Sequence, residues 1–255
     1  MKKPPEKIFP AGGACKRGRR FFWKEELMNN EKNVPSYTGI LRSHALTIPA
    51  AAYQASGIQV FGRRIKSLAF STDVAMIKNI NADAVLAVYP FTPQAVISHA
   101  IISVSDVPVF VGVGGGLTSG DRCVRMAQDV ERQGGIGVVV NAPIPPDVIR
   151  QIKQHIELPV VTTVVSACQN FEEQVAAGTD ILNVAAAKGT AALVRLLRAR
   201  YPSIPIIATG GPSDETILET IAAGANAVTY TPPTNGELFS LKMQQYRETL
   251  DRRNT

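Results

Sequence analysis

From residue 65 onward the chain alternates short, nearly continuous apolar runs with longer amphipathic stretches. The runs are IKSLAF (65–70), AVLAVY (84–89), PVFVGV (108–113), IGVVV (136–140), PVVTTVV (159–165), DILNVA (180–185), PIIATG (205–210) and AVTYT (227–231). Runs of this length, rich in Val and Ile, predict strands buried on both faces of a parallel sheet. The stretches between them carry helical spacing. Val148, Ile149, Ile152 and Ile156 share one face, as do Ile217, Leu218 and Ile221, while Leu193, Leu196 and Leu197 oppose Arg195, Arg198 and Arg200. Gly178 and Gly224 follow helical segments, where C-terminal caps are expected. Parallel strands need crossover helices, and eight such units in succession predict a closed (β/α)8 TIM barrel over residues 65–255.

Residues 1–64 stand outside this pattern. They hold 12 Lys/Arg against 4 Glu, a charge of +8, and the remaining 15 Lys/Arg against 17 Asp/Glu give −2, for the chain's +6. The basic character therefore belongs to an N-terminal extension, with a boundary near Gly62-Arg63-Arg64. Within it, GRRFFWKEELMNN and IPAAAYQASGI read as two amphipathic helices that cover the barrel or mediate homo-oligomer contacts. CKRGRRFFWK interleaves basic and aromatic side chains, a pattern that suits phosphate pairing and base stacking. In so short a run, packing of the aromatics on the barrel is the stronger reading, and nucleic acid the weaker.

The remaining composition changes little. No apolar run approaches a membrane span, and MKKPPEKIFPAGG lacks the apolar core of a signal peptide. Cys15, Cys123 and Cys168 are odd in number and far apart. The expectation is a reduced, cytoplasmic protein with no metal and no cofactor.

Barrel active sites lie at the C-terminal ends of the strands. Here those ends are rich in hydroxyls and amides and poor in acids and bases. In IPIIATGGPSDETILETIAAGANAV, Thr209, Gly210 and Gly211 end the seventh strand and Pro212-Ser213 opens a helix. Glycines there let backbone N–H groups approach an anion, and loops after strands seven and eight often build phosphate sites. Asn235 and Gly236, at the start of the last helix, extend the candidate phosphate site; a tight turn that needs glycine geometry is the alternative. GVGGGLTSGDR after the third strand reads either as an anion nest or as a flexible loop. Asp73, just past the first strand, is either a base at the barrel mouth or a first-turn helix residue. Lys188 is either an anion ligand or an exposed helix-start residue. His99 and His155 fall in helices, so no Ser-His-Asp constellation and no metal-ligand cluster is legible.

Across roughly residues 105–235, FEEQVAAGTDILNVAAAKG, IPIIATGG and IAAGANAV resemble the phosphate-binding barrels that include 2-keto-3-deoxy-6-phosphogluconate aldolases and ribulose-phosphate-binding enzymes. In that aldolase family the sixth strand carries a Schiff-base lysine, and the matching position here is Asn183, whose amide forms no imine. LAFSTD, GGLTSGD and TNGELF are similar to the glycerol uptake operon antiterminators, whose RNA-linked role would give the basic arm a purpose; that family lacks the arm, and no matching lysine follows Asn141. The rim residues and the first of these resemblances imply an enzyme acting on a small phosphorylated sugar or keto acid by aldol-type cleavage or isomerisation. Asp73 would be the base, with Asn141, Asn183 and Lys188 polarising a carbonyl, and Gly210, Gly211 and Ser213 holding phosphate. A non-catalytic phosphometabolite-binding regulator with an RNA- or partner-binding arm is the alternative; a hydrolase ranks last.

Overall fold

The computed structural model describes residues 35–37, 39 and 46–253. A 3-10 turn at Ala50–Gln54 leads into β1 (Ile58–Val60) and β2 (Arg63–Ile65), followed by β3 (Ser67–Phe70), β4 (Ala84–Ala87), β5 (Val109–Gly114), β6 (Gly137–Val140), β7 (Val160–Val164), β8 (Ile181–Val184), β9 (Ile206–Thr209) and β10 (Ala227–Tyr230). The intervening helices are α1 (Val74–Lys78), α2 (Ala95–Val104), α3 (Asp121–Arg132), α4 (Pro146–His155), α5 (Phe171–Ala176), α6 (Thr190–Arg200), α7 (Asp214–Ala222) and α8 (Asn235–Arg253). Strands β3 to β10 are parallel and close into a barrel. Closure is made by β10 on β3, with Val228 opposite Ser67 and Thr229 opposite Leu68. The eight apolar runs are the eight barrel strands, and the fold is a (β/α)8 TIM barrel.

Both faces of each strand are buried because alternate residues face different partners. Leu68, Leu86, Phe110, Val139, Val161, Ile181, Ile207 and Ala227 pack together inside the barrel. Val85, Val111, Val138 and Val160 face outward against Ile101, Val130, Ile149 and Ile152 of the helices.

The floor of the barrel comes from a segment that the charge pattern assigns to the extension. Ile58, Val60 and Ile65, from an antiparallel hairpin, pack against the inward-facing layer. Phe61 and Gly62 connect the hairpin, both at positive φ (45° and 79°), as two-residue hairpin loops prefer. Just before it, Ile48, Ala51 and Ala52 join Ala69, Ile80, Ile217 and Val228 in a core cluster. The compact unit containing the barrel runs from Arg42 to Thr255. Charge reports the solvated surface and alternation reports burial, so a segment can be basic and still pack on the barrel. IPAAAYQASGI, read as a helix, is a five-residue 3-10 turn followed by the approach to β1. GRRFFWKEELMNN, CKRGRRFFWK and the oligomer contacts expected of the extension lie outside the described residues.

A repeated clip fastens the strand starts. Asp83, Asp180 and Asn226 each stand one residue before a strand and accept a backbone N–H from the neighbouring strand's start. Asp83 Oδ2 takes Lys66 N at 2.9 Å and Ser67 N at 3.0 Å. Asp180 Oδ2 takes Val160 N at 2.7 Å and the Lys153 ammonium at 2.8 Å. Asn226 Oδ1 takes Ile206 N at 2.9 Å and the Arg198 guanidinium at 2.6 Å. These clips lie at the strand starts, the end of a (β/α)8 barrel that serves stability. No helix among the described residues is long and apolar enough to cross a membrane.

Candidate functional site

The inward alternation that fills the barrel with apolar side chains continues one step further toward the C-terminal ends. After Val139, Val161, Ile181, Ile207 and Ala227, the next inward residues are Asn141, Thr163, Asn183, Thr209 and Thr229. Five successive strands therefore deliver five neutral hydrogen-bonding side chains to the barrel mouth. Strand pairing sets Thr163 beside Asn183 and Thr209 beside Thr229.

Three of these groups form a directional relay. Asn183 Nδ2 donates to Thr163 Oγ1 at 3.2 Å, and Thr163 Oγ1 donates to Asn141 Oδ1 at 3.2 Å. The hydroxyl's proton fixes the Asn141 amide with its oxygen turned to Thr163, leaving the Nδ2 donors for another partner. Asn141 lines a cavity of about 640 Å³ together with Tyr89, Thr92, Gly112 and the glycine loop after β5. Asn141 thus stands at the cavity with its amide donors outside the relay, chemistry that can polarise a carbonyl or stabilise an enolate.

The glycine loop is built around Asn141. Gly114 O accepts from Asn141 N at 2.9 Å, Gly115 N donates to Thr118 O at 2.8 Å, and Gly116 N donates to Pro143 O at 2.9 Å. Gly115 has φ +107°, and a Cβ there would stand 2.1 Å from the Asn141 carbonyl oxygen. The loop is therefore a fixed wall of the cavity, and close backbone approach is what its glycines provide. Beneath it, the buried Cys123 thiol donates to Thr118 O at 3.2 Å. Burial pushes this thiol upward, so it stays protonated and structural.

The other sequence-predicted residues are distributed around the rim. Asp73 caps α1, accepting Ala75 N at 2.8 Å and Met76 N at 3.2 Å through Oδ1. Its Oδ2 accepts from the Asn235 side chain at 2.6 Å, joining the first and last units of the barrel. Lys188 is exposed on a short 3-10 turn, Ala187–Gly189. His99 and His155 are exposed on α2 and α4.

At the candidate phosphate site, several of the expected donors already have partners. Gly210 N donates to Thr229 O at 3.1 Å, and Ser213 N donates to Thr216 Oγ1 at 3.2 Å in a capping box. Gly211 has φ +84°, and a Cβ there would meet Thr216 Oγ1 at 2.5 Å. This accounts for Gly211 through turn geometry alone. Beside Asn235 and Gly236, Glu237 accepts Thr234 N at 2.7 Å and the Thr234 hydroxyl at 2.8 Å. Those bonds hold the Glu237 carboxyl below its ordinary value, and the Ser213 hydroxyl does the same for Glu215. Each helix start near the candidate phosphate site thus carries a carboxylate of its own.

A pH dependence follows. A carboxyl depressed in the folded state stabilises these helix starts above the usual Glu value of 4.5 and loses that effect as pH falls through the depressed value. Amide exchange at Glu237 and Leu238 should accelerate, relative to the barrel strands, on acidification below about pH 4. A Glu237→Gln variant should show that faster exchange already at neutral pH.

Thr163 and Thr229 stand among the hydroxyls at the strand ends, without a role that the local sequence assigns them. The signal that finds them is the two-residue period continued past each apolar run. Among the described residues, no group of three or more His, Cys, Asp or Glu side chains is placed to hold a metal ion.

No family model matches the chain, and no curated protein matches it. Solved structures do. A phosphoenolpyruvate phosphomutase from Streptomyces platensis subsp. rosaceus superposes with TM-score 0.55 at 16% identity, over 73% of this chain and 81% of its own. A 2,3-dimethylmalate lyase, described as a PEP mutase/isocitrate lyase superfamily member, gives 0.55 at 12% identity over 80% and 86%. A dihydrodipicolinate synthase from Bacillus anthracis gives 0.52 at 16% identity over 65% and 69%. At these identities the likeness is one of fold: this chain is an eight-stranded parallel α/β barrel of the kind those enzymes share.

Proposed function

We propose that the barrel mouth is the site of a lyase or isomerase acting on a small keto acid or phosphorylated sugar, by aldol-type cleavage or proton-transfer isomerisation without an imine. The observation that carries this reading is the Asn183–Thr163–Asn141 relay, which ends on a residue that lines the cavity. A preorganised donor of this kind stabilises an enolate oxygen as charge develops. Asn183, at the position that the resemblance to the aldolases gives to lysine, acts as the relay's far end and not as a nucleophile. Asp73, whose Oδ2 accepts from the Asn235 side chain across the barrel seam, is the base at the rim. The names of the structural neighbours, a phosphomutase and a lyase, agree with small phosphorylated or keto acids as the substrate class. The likeness to phosphate-binding barrels at IPIIATGG keeps the β9–α7 turn as the place for a phosphate, with Gly211 N–H and the Asn235 and Gly236 N–H groups as its donors.

Screening phosphorylated sugars and keto acids, with their dephosphorylated counterparts, by thermal shift and then by turnover tests this. Asn141→Ala should lower turnover of any compound found by about 10²–10³-fold, the effect of losing one oxyanion donor, with circular dichroism unchanged. Turnover unaffected by Asn141→Ala would remove the reading.

One observation favours a second reading, a phosphometabolite sensor that binds without turnover. Among the residues lining the cavity, Tyr89 is the one titratable side chain, and its hydroxyl accepts from Gln94 N at 2.9 Å. Ligand-induced stabilisation with no turnover, and a partner or RNA interaction lost when residues 1–41 are removed, would select it.

A further inference from the structure

The cavity that Asn141 lines is edged by two loops that are tied to each other. The loop after β4 runs Tyr89-Pro90-Phe91-Thr92-Pro93-Gln94, and the glycine loop after β5 carries Leu117 and Thr118. Residues of both line the cavity. The Thr118 hydroxyl donates to Thr92 Oγ1 at 3.4 Å, and each loop places one large apolar residue directly before that tie. Phe91 is 74% exposed, and Leu117 is fully exposed.

Neither exposure comes from a slack backbone. Pro90 and Pro93 restrict the chain around Phe91, and Gln94 N donates to the Tyr89 hydroxyl at 2.9 Å, closing the loop on itself. Leu117 stands in the turn that Gly115 N closes on Thr118 O at 2.8 Å, and Gly116 N ties that turn to Pro143 O at 2.9 Å. Single exposed apolar residues are ordinary. These two share one cavity with Tyr89 and two prolines, and apolar surface gathered around a concavity marks a ligand site.

The polar groups of the same cavity are neutral. None of its lining residues carries a charge. The Asn141 Nδ2 donors lie outside the relay, and the Tyr89 hydroxyl, which accepts from Gln94 N, keeps its own proton to donate. Such donors suit a head group that only accepts, as the carbonyl of a keto acid does. At about 640 Å³ the cavity has room well beyond pyruvate. The rest of a longer ligand meets Phe91, Leu117 and the prolines, where a phosphate would find no cation to offset its charge.

We infer that the substrate is a 2-keto acid with an apolar, ring-sized side chain, and that Phe91 and Leu117 are specificity-determining residues that clamp it. This rests on the mouth being the ligand site proposed above, and of the two substrate classes named there it selects the keto acids.

Pyruvate, phenylpyruvate and 3-phosphonopyruvate share one keto-acid head and differ at the third carbon, which carries only hydrogen, a phenyl ring or a phosphonate. Affinities would be taken by calorimetric titration of the full chain. Phenylpyruvate should bind at least tenfold tighter than either of the others. Phe91→Ala and Leu117→Ala, at exposed positions, should leave the melting temperature unchanged. Together they should weaken phenylpyruvate at least tenfold and leave pyruvate within about twofold, while Phe91→Tyr, which keeps the ring, should bind phenylpyruvate as the parent does. The heat-capacity change on binding phenylpyruvate, negative when apolar surface is buried, should shrink in the double alanine variant. Equal affinity for pyruvate and phenylpyruvate, tighter binding of 3-phosphonopyruvate, or a double variant that binds phenylpyruvate normally overturns the inference and leaves the site reading intact. No binding of any of the three also overturns it. The screen of phosphorylated sugars then separates the two ideas: a hit there keeps the mouth as the site, and none removes both.

Discussion

Replacing Gly115 with alanine is expected to destabilise the barrel by about 3 kcal/mol or more and to abolish ligand-induced stabilisation. Two penalties combine. At φ +107° a residue with a Cβ is strained by about 1–3 kcal/mol. The new methyl would also stand 2.1 Å from the Asn141 carbonyl oxygen and 2.7 Å from its nitrogen. Those are backbone atoms, so no rotamer change relieves the clash, and overpacking of this sort costs about 1–3 kcal/mol. If the loop yields, the bonds from Gly115 N to Thr118 O and from Asn141 N to Gly114 O go with it, and Asn141 loses its position. The adjacent Gly116 supplies the control. It has φ +64° with nothing within 4 Å of a built Cβ, so Gly116→Ala should cost only about 1 kcal/mol. Urea unfolding of the two variants measures the difference, and equal midpoints would show that the close approach to Asn141 is not what fixes the loop.

Asp83→Ala is expected to cost about 2–4 kcal/mol without changing the barrel mouth. One carboxylate oxygen accepts from Lys66 N, Ser67 N and the Ser67 hydroxyl at 2.9, 3.0 and 3.1 Å, and the hydroxyl accepts in turn from Asp83 N at 3.1 Å. Ser67 is fully buried, so water does not readily replace the lost acceptor. Each buried donor left unpaired costs about 1–3 kcal/mol. Asp83→Asn keeps an acceptor oxygen and should cost less than half as much. The clip lies at the strand starts, so ligand affinity measured well below the melting temperature should be unchanged in both variants. A loss of affinity would show coupling between the two ends of the barrel.

How far this protein is legible from its sequence depends on the distance over which each feature is encoded. The barrel strands are local: PVFVGV and IGVVV declare themselves as doubly buried strands within a few residues, and Val148, Ile149 and Ile152 mark a helix face that the structure buries. The hairpin IQVFGRRI is equally local in form, but its Arg63 and Arg64 drew it into the basic extension. Its Ile58, Val60 and Ile65 nevertheless plug the barrel floor. Charge recorded which side chains meet water, and the buried alternation between them was the better guide to packing.

The site divides in the same way. Glycine loops, rim hydroxyls and the amides Asn141 and Asn183 can all be read directly from the chain. The wiring cannot. Thr163 lies 22 residues from Asn141 and 20 from Asn183, and Asp73 and Asn235 are 162 apart. Strand register and barrel closure decide whether such residues meet, and both are set by packing across the whole sheet. The sequence by itself determined a closed parallel barrel with a neutral, hydroxyl- and amide-rich mouth, because the periodicity of burial is written residue by residue. The tertiary structure alone decided which of those neutral groups pair with one another, as Asn183, Thr163 and Asn141 do, because strand register is set by packing across the whole sheet.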